Sequence, residues 1–166
     1  NLAVVLQVPA IFLFENNGYG EGTAAGYAVG SKDIASRAAA FGMPALKVDG
    51  ADIFAVYDTC QKAVKHCRAG KGPITIEASI TRFRGHFEGD AQAYRGKDEV
   101  KRLMRDLDCL KIASDNAIKK KLVTKAQLNK IDEEVAAYID EAARAALAAP
   151  GPDVSELLTD VYSSAY

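Results

Sequence analysis

The chain has few cysteines, no excess of either charge and no long apolar run, and each of these features narrows its possible functions. Its 166 residues contain 21 Lys and Arg against 22 Asp and Glu, which gives a formal net charge of -1 at pH 7. Since this balance provides no overall basic field, we expect neither a nucleic acid nor a membrane surface as partner. With 49% hydrophobic and 26% charged residues, the composition is typical of a globular domain.

The three cysteines are Cys60, Cys67 and Cys109, and none forms a CxxC pair. This spacing excludes a zinc knuckle, and an odd number in a chain of this length argues against a disulfide scaffold. A reducing cytoplasm fits best. Cys60 and Cys67 would lie on one buried face of a helix, where we expect them to pack rather than to undergo redox chemistry.

The ends of the chain give two further expectations. Apolar runs such as residues 8–14 are well short of the ~20 residues that span a bilayer, and the N-terminus lacks the basic region of a signal peptide. The chain does not begin with Met, and residues 1–6 are typical of the end of a helix. We therefore expect a C-terminal fragment of a longer protein.

Apolar runs and helical patterns alternate along the first half of the chain. Residues 10–14 form a continuous apolar run that predicts an interior strand of a parallel sheet, and further strands are predicted at 45–48 and 73–78. Helices are predicted up to residue 41 and over residues 51–69. The second helix has an apolar stripe of Ile53, Tyr57, Cys60, Val64 and Cys67. This order predicts an α/β fold with a doubly wound, mostly parallel sheet.

The remainder of the chain, from Asp98 onward, has an amphipathic helical pattern without strands. A capping box that begins at Thr124 predicts the start of a long helix, and a last short helix is expected after Ser155. The lysines at positions 119–121 are interpreted as a solvated helix end.

Two loops carry the residues that are suited to chemistry, and both follow predicted strands, where ligands bind in open α/β sheets. In the first loop, the side-chain oxygen of Asn17 and the carbonyl of Tyr19 suit Mg²⁺ or Ca²⁺. The alternative is a simple turn, because Asn17-Gly18 is also a hairpin signal, although no matching strand is predicted after it. In the second loop, Arg82 and Arg84 suit a phosphate group, and His86 suits a proton transfer. The alternative is a surface loop with a solvated charge cluster.

Three segments recur in the same order and at similar spacing in one known family. They are residues 14–20 (FENNGYG), residues 48–52 (VDGAD) and residues 82–95, which contain RFRGH, Asp90 and Tyr94-Arg95. In these segments the chain resembles the α subunit of the thiamine-diphosphate-dependent first component of 2-oxo acid dehydrogenase complexes. The resemblance covers nearly the whole chain. Residues 86–90 (HFEGD) are most similar to acetoin-cleaving members, whereas pyruvate and branched-chain members usually have Ser directly after this His.

The resemblance implies a domain organisation, cofactors and partners. Residues 1–96 would be the C-terminal half of a thiamine-diphosphate-binding α/β domain, and residues 97–166 a helical tail that packs on it and on partner subunits. The cofactors would be thiamine diphosphate and Mg²⁺. The partners would be a β subunit in an α2β2 assembly and the lipoyl domain of the acyltransferase component.

The resemblance also implies functional roles for five residues. Asn17 and the Tyr19 carbonyl would be Mg²⁺ ligands, and Gly18 would belong to the same cofactor-binding turn. Arg82 would contact the diphosphate. His86 would be the catalytic residue at the reacting thiazolium ring.

The chain departs from the family pattern at three points. The family's cofactor motif begins with GDG, which supplies a carboxylate ligand for Mg²⁺, and the chain starts too late to contain it. Glu15 stands where some relatives have an Arg for the diphosphate. Phe87 has no hydroxyl, so the phosphorylation switch of mitochondrial relatives cannot operate at this position, which favours a bacterial-type, cytoplasmic enzyme.

The expected function is therefore that of an α-subunit fragment that cleaves acetoin and passes the acyl fragment to a lipoyl domain. Oxidative decarboxylation of pyruvate or another 2-oxo acid is the first alternative. The second is that the isolated chain is an inactive assembly module with apolar docking faces. A transketolase-like enzyme is a third, and it fits the His86 loop and the helical tail less well.

Overall fold

A computed structural model describes residues 1–31 and 33–159. The strands are β1 (Ile11–Asn16), β2 (Tyr19–Gly20), β3 (Thr23–Ala24), β4 (Ala45–Asp49) and β5 (Ile74–Ser79). The helices are α1 (Leu2–Val5), α2 (Ala25–Ala28), α3 (Ala35–Ala39), α4 (Ile53–Arg68), α5 (Glu99–Asp106), α6 (Cys109–Lys119), α7 (Lys125–Ala148) and a 3-10 helix (Val154–Leu158). Within the described residues, no helix is both long and apolar enough to cross a membrane.

Three of the strands form a parallel sheet in the order β1-β5-β4. The predicted α/β fold is confirmed, but the prediction that β1 is an interior strand is wrong for this chain. β5 is the central strand, and β1 lies at the edge with its apolar side chains 39–54% exposed. A continuous apolar run indicates a strand with two apolar faces, and it does not specify whether a neighbouring strand pairs with each side.

Helices pack against both faces of the sheet. On one face, Ile74 and Ile76 of β5 form the core with Ala63 and Cys67 of α4. On the other face, Glu77 accepts hydrogen bonds from backbone N–H groups at the start of α3. Alternate residues of β5 therefore face opposite helices, as the predicted doubly wound arrangement requires.

Helix α4 begins at Ile53, two residues after the predicted start. The side chain of its N-cap, Asp52, accepts hydrogen bonds from the N–H groups of Phe54 and Ala55. The predicted apolar stripe is only partly buried, since Cys67 is 8% exposed whereas Ile53 and Tyr57 are 55% and 62% exposed. The reason is that the helix contributes Ala63 and Cys67 to the core cluster, with Cys60 partly buried against it.

The glycine-rich stretch after β1 contains a short hairpin that was not predicted. β2 and β3 pair antiparallel, with Tyr19 opposite Ala24. Strands of two residues are too short to show an alternating pattern, so no sequence signal identifies them.

Helix α3 is shorter than the predicted helix. The prediction ends at Phe41, whereas α3 covers only Ala35–Ala39. Lys32, just before it, lies outside the described residues.

The described residues divide into two compact units, with the boundary between residues 120 and 121. In the second unit, the predicted capping box is present: Thr124 and Gln127 exchange side-chain-to-backbone hydrogen bonds at the start of α7. The short helix expected after Ser155 is a 3-10 helix, and residues 160–166 lie outside the described chain. The predicted domain boundary between residues 96 and 97 stays a prediction.

Candidate active site

A tight turn follows β1, and the two asparagines of the sequence motif form it. Oδ1 of Asn16 accepts a hydrogen bond from Gly18 N–H at 3.2 Å, and Oδ1 of Asn17 accepts one from Tyr19 N–H at 3.0 Å. Gly18 has φ of 81°, a left-handed conformation that glycine adopts without steric cost. The sequence motif thus produces a turn whose side-chain and carbonyl oxygens lie at the carboxyl end of the strand.

An open cleft of about 340 Å³ lies where β1 and β5 end. It is lined by the turn, by the residues that follow β5 and by part of α5, namely Asn16, Asn17, Gly18, Tyr19, Ser79, Ile80, Thr81, Arg82, Arg95, Glu99 and Leu103. The position agrees with the rule that ligands bind at the carboxyl ends of parallel strands. Four of the five predicted site residues, Asn17, Gly18, Tyr19 and Arg82, are brought together here.

Arg82 is held at the cleft by two aromatic residues. One guanidinium nitrogen, Nη2, donates to the Glu21 carbonyl and to the Tyr94 hydroxyl, both at 2.7 Å. The guanidinium carbon lies 5.8 Å from the ring centroid of Tyr19 and 5.9 Å from that of Tyr94. Nε is buried and has no acceptor within the described protein. Arg82 is therefore fixed in position and retains an unused donor.

A second arginine connects α5 to the same loop. The side chain of Arg95 is 3% exposed, donates to the Arg82 carbonyl at 2.6 Å and pairs with Glu99 at 3.3 Å. The hydroxyl of Tyr19 donates to the same carboxylate at 3.3 Å. In the sequence, Tyr94-Arg95 is identified only as part of a motif. The hydrogen bonds of these two residues could not be predicted, because nothing in their spacing identifies their partners.

His86 lies on the loop after Arg82 and does not line this cleft. Its backbone N–H donates to Oδ2 of Asp90 at 2.8 Å, and the Tyr94 hydroxyl donates to the same oxygen at 2.8 Å. The hydrogen bond from the His86 N–H, followed by those from Gln92 and Tyr94, lowers the pKa of Asp90. The imidazole is 49% exposed, with Nε2 3.8 Å from a carboxylate oxygen of Glu21. The structure thus does not bring the predicted catalytic residue into contact with the turn.

Glu77 is a buried carboxylate beside the turn, and sequence reasoning missed it. It is 3% exposed on the central strand and accepts hydrogen bonds from Asn16 Nδ2 at 2.7 Å, from Ile34 N–H at 3.1 Å and from Ala35 N–H at 2.8 Å. Burial by itself raises the pKa of Glu77, but these hydrogen bonds and Lys47 together lower it. The available signal was a charged residue flanked by Ile76 and Ala78 within a predicted strand.

The donor set of the turn fits part of a divalent-cation site. The Asn17 side chain and the Tyr19 carbonyl offer neutral oxygens of the kind that Mg²⁺ accepts together with phosphate oxygens. In the part of the chain that the structure describes, no group of three His, Cys, Asp or Glu residues could hold a metal by itself. The unused Nε of Arg82 is a suitable donor for a phosphate oxygen. The residues therefore suit a cation that binds with a phosphorylated ligand.

Comparisons with known proteins agree with the sequence resemblance. The family model of the dehydrogenase E1 component matches residues 1–155. The alpha subunit of acetoin:2,6-dichlorophenolindophenol oxidoreductase is 44% identical in Cupriavidus necator and 43% identical in Bacillus subtilis, in each case over 99% of this chain and 49% of the relative. The pyruvate dehydrogenase E1 component subunit alpha of Rhizobium meliloti is 40% identical over 97% of this chain and 46% of the relative. The chain spans about half the length of the curated relatives it matches.

Proposed function

Because the chain belongs to the dehydrogenase E1 component family, we propose that it is part of the α subunit of a thiamine-diphosphate-dependent enzyme that cleaves acetoin. The acyl fragment passes to the lipoyl domain of an acyltransferase component. The observation that carries the proposal is the cleft at the ends of β1 and β5, which contains Asn17, Tyr19 and Arg82 together. These residue types suit a diphosphate bound with a divalent cation.

Four residues of the cleft have distinct parts in this proposal. Thiamine diphosphate, when bound, supplies the carbanion chemistry at the substrate carbonyl. The oxygens of Asn17 and Tyr19 would hold Mg²⁺, and the backbone conformation of Gly18 allows the turn to present both of them. Arg82 would donate to the diphosphate, since its buried Nε has no acceptor within the described protein.

We propose His86 as the residue that holds or moves a proton at the substrate oxygen. Its exposure leaves the imidazole accessible to a substrate, and its backbone is anchored by Asp90. An imidazole can both donate and accept a proton, which suits this task.

Further parts of the active site would come from outside this chain. The proposed site has two neutral oxygen ligands, so a carboxylate ligand for Mg²⁺ would come from another segment. We propose that a β subunit completes the site in an α2β2 assembly. The isolated chain would then have no turnover.

Two alternatives are supported by specific observations. The relative from Rhizobium meliloti, at 40% identity, is a pyruvate dehydrogenase subunit, so oxidative decarboxylation of pyruvate or another 2-oxo acid is the second candidate. Acetoin is preferred because the two acetoin relatives are 44% and 43% identical and because Phe87 follows His86. The exposed apolar side chains of β1 support the assembly-module interpretation of the isolated chain.

Calorimetric titration tests the proposal. Thiamine diphosphate and Mg²⁺ are titrated into the longest polypeptide that contains this chain, co-expressed with the proposed β subunit. Asn17→Ala should abolish Mg²⁺-dependent binding, whereas the control Asn17→Asp, which keeps a side-chain oxygen, should retain it. His86→Ala should keep cofactor binding and lose turnover.

The substrate is assigned by comparing turnover of acetoin and pyruvate in the same preparation. Faster turnover of pyruvate would replace acetoin by the second candidate. Absence of cofactor binding in the wild-type protein would refute the proposed function, and the family membership would then reflect the fold alone.

A further inference from the structure

We infer that Glu77 is a positioning residue for the metal-binding turn, because its buried carboxylate orients the side-chain amide of Asn16 and thereby the backbone that presents Asn17. The inference rests on the proposed function, since it concerns how that site is held. Glu77 belongs to the central strand and is outside the group of residues that line the cleft. It acts through Asn16 rather than through contact with a ligand.

The orientation of Asn16 follows from the chemistry of its two neighbours. One carboxylate oxygen of Glu77, Oε1, lies 2.7 Å from Nδ2 of Asn16 and can only accept a hydrogen bond. The amide nitrogen must therefore face Glu77, which leaves Oδ1 to accept the N–H of Gly18 at 3.2 Å. The direction of one hydrogen bond determines the direction of the next.

The second oxygen of Glu77 fixes the carboxylate itself. Oε2 accepts the N–H groups of Ile34 and Ala35 at 3.1 and 2.8 Å. Both donors lie at the start of α3, so they approach the carboxylate from one side of the sheet. With donors on both oxygens and 3% exposure, the carboxylate has little freedom to rotate.

A carboxylate is required because all three partners are donors. In Glu77→Gln, the new side chain can keep its oxygen toward the two backbone N–H groups, and its nitrogen then faces Asn16. The side-chain amide of Asn16 must then rotate so that Oδ1 accepts a hydrogen bond from that nitrogen. This rotation places Nδ2 of Asn16 against the N–H of Gly18. Two donors would then face each other at the turn, and the turn would shift.

These hydrogen-bond directions predict a compensating pair of substitutions. The double variant Glu77→Gln with Asn16→Asp restores a donor opposite an acceptor, and the second carboxylate oxygen at position 16 again accepts the Gly18 N–H. Asn16→Asp alone places two carboxylates in contact and should be unfavourable. A purely structural role for Glu77 does not predict recovery of metal affinity in the double variant.

The experiment measures Mg²⁺ affinity at saturating thiamine diphosphate by calorimetry, together with the midpoint of thermal unfolding. It uses the longest polypeptide containing this chain, co-expressed with the proposed β subunit. Each single variant should bind Mg²⁺ at least about tenfold more weakly, as for other residues that orient a metal ligand. The double variant should recover to within about threefold of wild type, which is the signature of a direct coupling.

Thr75→Val is the matched control. Thr75 lies two residues before Glu77 on the same strand, is fully buried at 0% exposure, and its hydroxyl contacts Met43 Sδ at 2.9 Å without touching the turn. This variant should lower the unfolding midpoint and leave Mg²⁺ affinity unchanged.

Three results would overturn the inference while the proposed function stands: wild-type Mg²⁺ affinity in Glu77→Gln, equal loss of affinity in Thr75→Val, or no recovery in the double variant. If Glu77→Gln cannot be purified in folded form, the Mg²⁺ affinity of the double variant tests the inference by itself. Near-wild-type affinity in it supports the inference, and tenfold weaker binding rejects it. Absence of any cofactor binding in the wild-type protein rejects the proposed function and the inference together.

Discussion

The backbone N–H of His86 donates a hydrogen bond to Oδ2 of Asp90 at 2.8 Å, so a carboxylate four residues further along the chain holds the loop that carries the imidazole. The other carboxylate oxygen accepts the N–H of Gln92 at 2.8 Å, and Tyr94 donates to Oδ2. The side chain of Asp90 therefore connects residues 86, 92 and 94 of the loop by hydrogen bonds. Its conformation depends on Asp90 more than on any contact of the imidazole.

Removal of this carboxylate should separate catalysis from cofactor binding. In Asp90→Ala, His86 loses its anchor while the turn with Asn17 keeps its own hydrogen bonds. We expect kcat to fall by about 10²-fold, since small displacements of a catalytic group have effects of this size, with thiamine diphosphate affinity changed much less. Steady-state kinetics and calorimetry on the assembled enzyme check this, and an unchanged kcat would show that the anchor is dispensable.

A glycine beside the same carboxylate offers an independent test. A Cβ at Gly85 would lie 2.6 Å from Cβ of Asp90, so Gly85→Ala must displace one of the two residues. We expect kcat to decrease as in Asp90→Ala. Gly26→Ala is the control, because a Cβ there meets no atom within 4 Å. Similar kinetics for the two alanine variants would contradict the packing described here.

Arg82→Lys should weaken binding of thiamine diphosphate and leave the binding of unphosphorylated thiamine unchanged. Lysine keeps the charge but lacks the buried Nε and the planar arrangement of donors. Loss of a hydrogen bond to a charged group costs ~1.5–3 kcal/mol, which corresponds to a ten- to hundredfold decrease in affinity. Arg84→Lys, at an exposed position in the same loop, serves as the control and should bind both ligands normally.

The stability of the protein in acid should depend on Asp33. The hydrogen bond from Lys47, followed by those from Ser36, lowers the pKa of Asp33 from 3.8 to about 2. Since the folded-state pKa is the lower one, the contribution to stability is complete above pH 3.8 and is lost as the pH falls toward 2. Urea unfolding of wild type and Asp33→Asn over this range should show a shallower acid dependence in the variant. Equal slopes would exclude this role for Asp33.

Much of the fold could be predicted from local patterns in the sequence. The apolar runs identified β1, β4 and β5, and the capping box at Thr124 identified the start of α7, because each signal lies within a few neighbouring residues. The order of strands in the sheet is not a local property. The prediction of β1 as an interior strand failed for this reason, since its apolar composition could not specify its neighbours.

The candidate site, like the fold, could be predicted only where the signal is local in the sequence. That Asn17, Tyr19 and Arg82 lie in one cleft could be predicted, because both loops follow strands that end at one edge of the sheet. Their roles toward a cofactor stay a prediction. Tyr94 and Glu77 act through contacts with Arg82 and Asn16, which are 12 and 61 residues away in the sequence. Such contacts depend on tertiary structure, and no spacing rule connects residues that far apart.

The buried position of Glu77 has a consequence for the order of folding. Its donors lie 42 to 61 residues away, on the turn after β1 and at the start of α3. A carboxylate removed from water before these donors arrive would be left uncompensated, at a substantial cost in free energy. Intermediates with the central strand covered and the turn unformed are therefore disfavoured, so the turn and the sheet should become ordered in a single cooperative step.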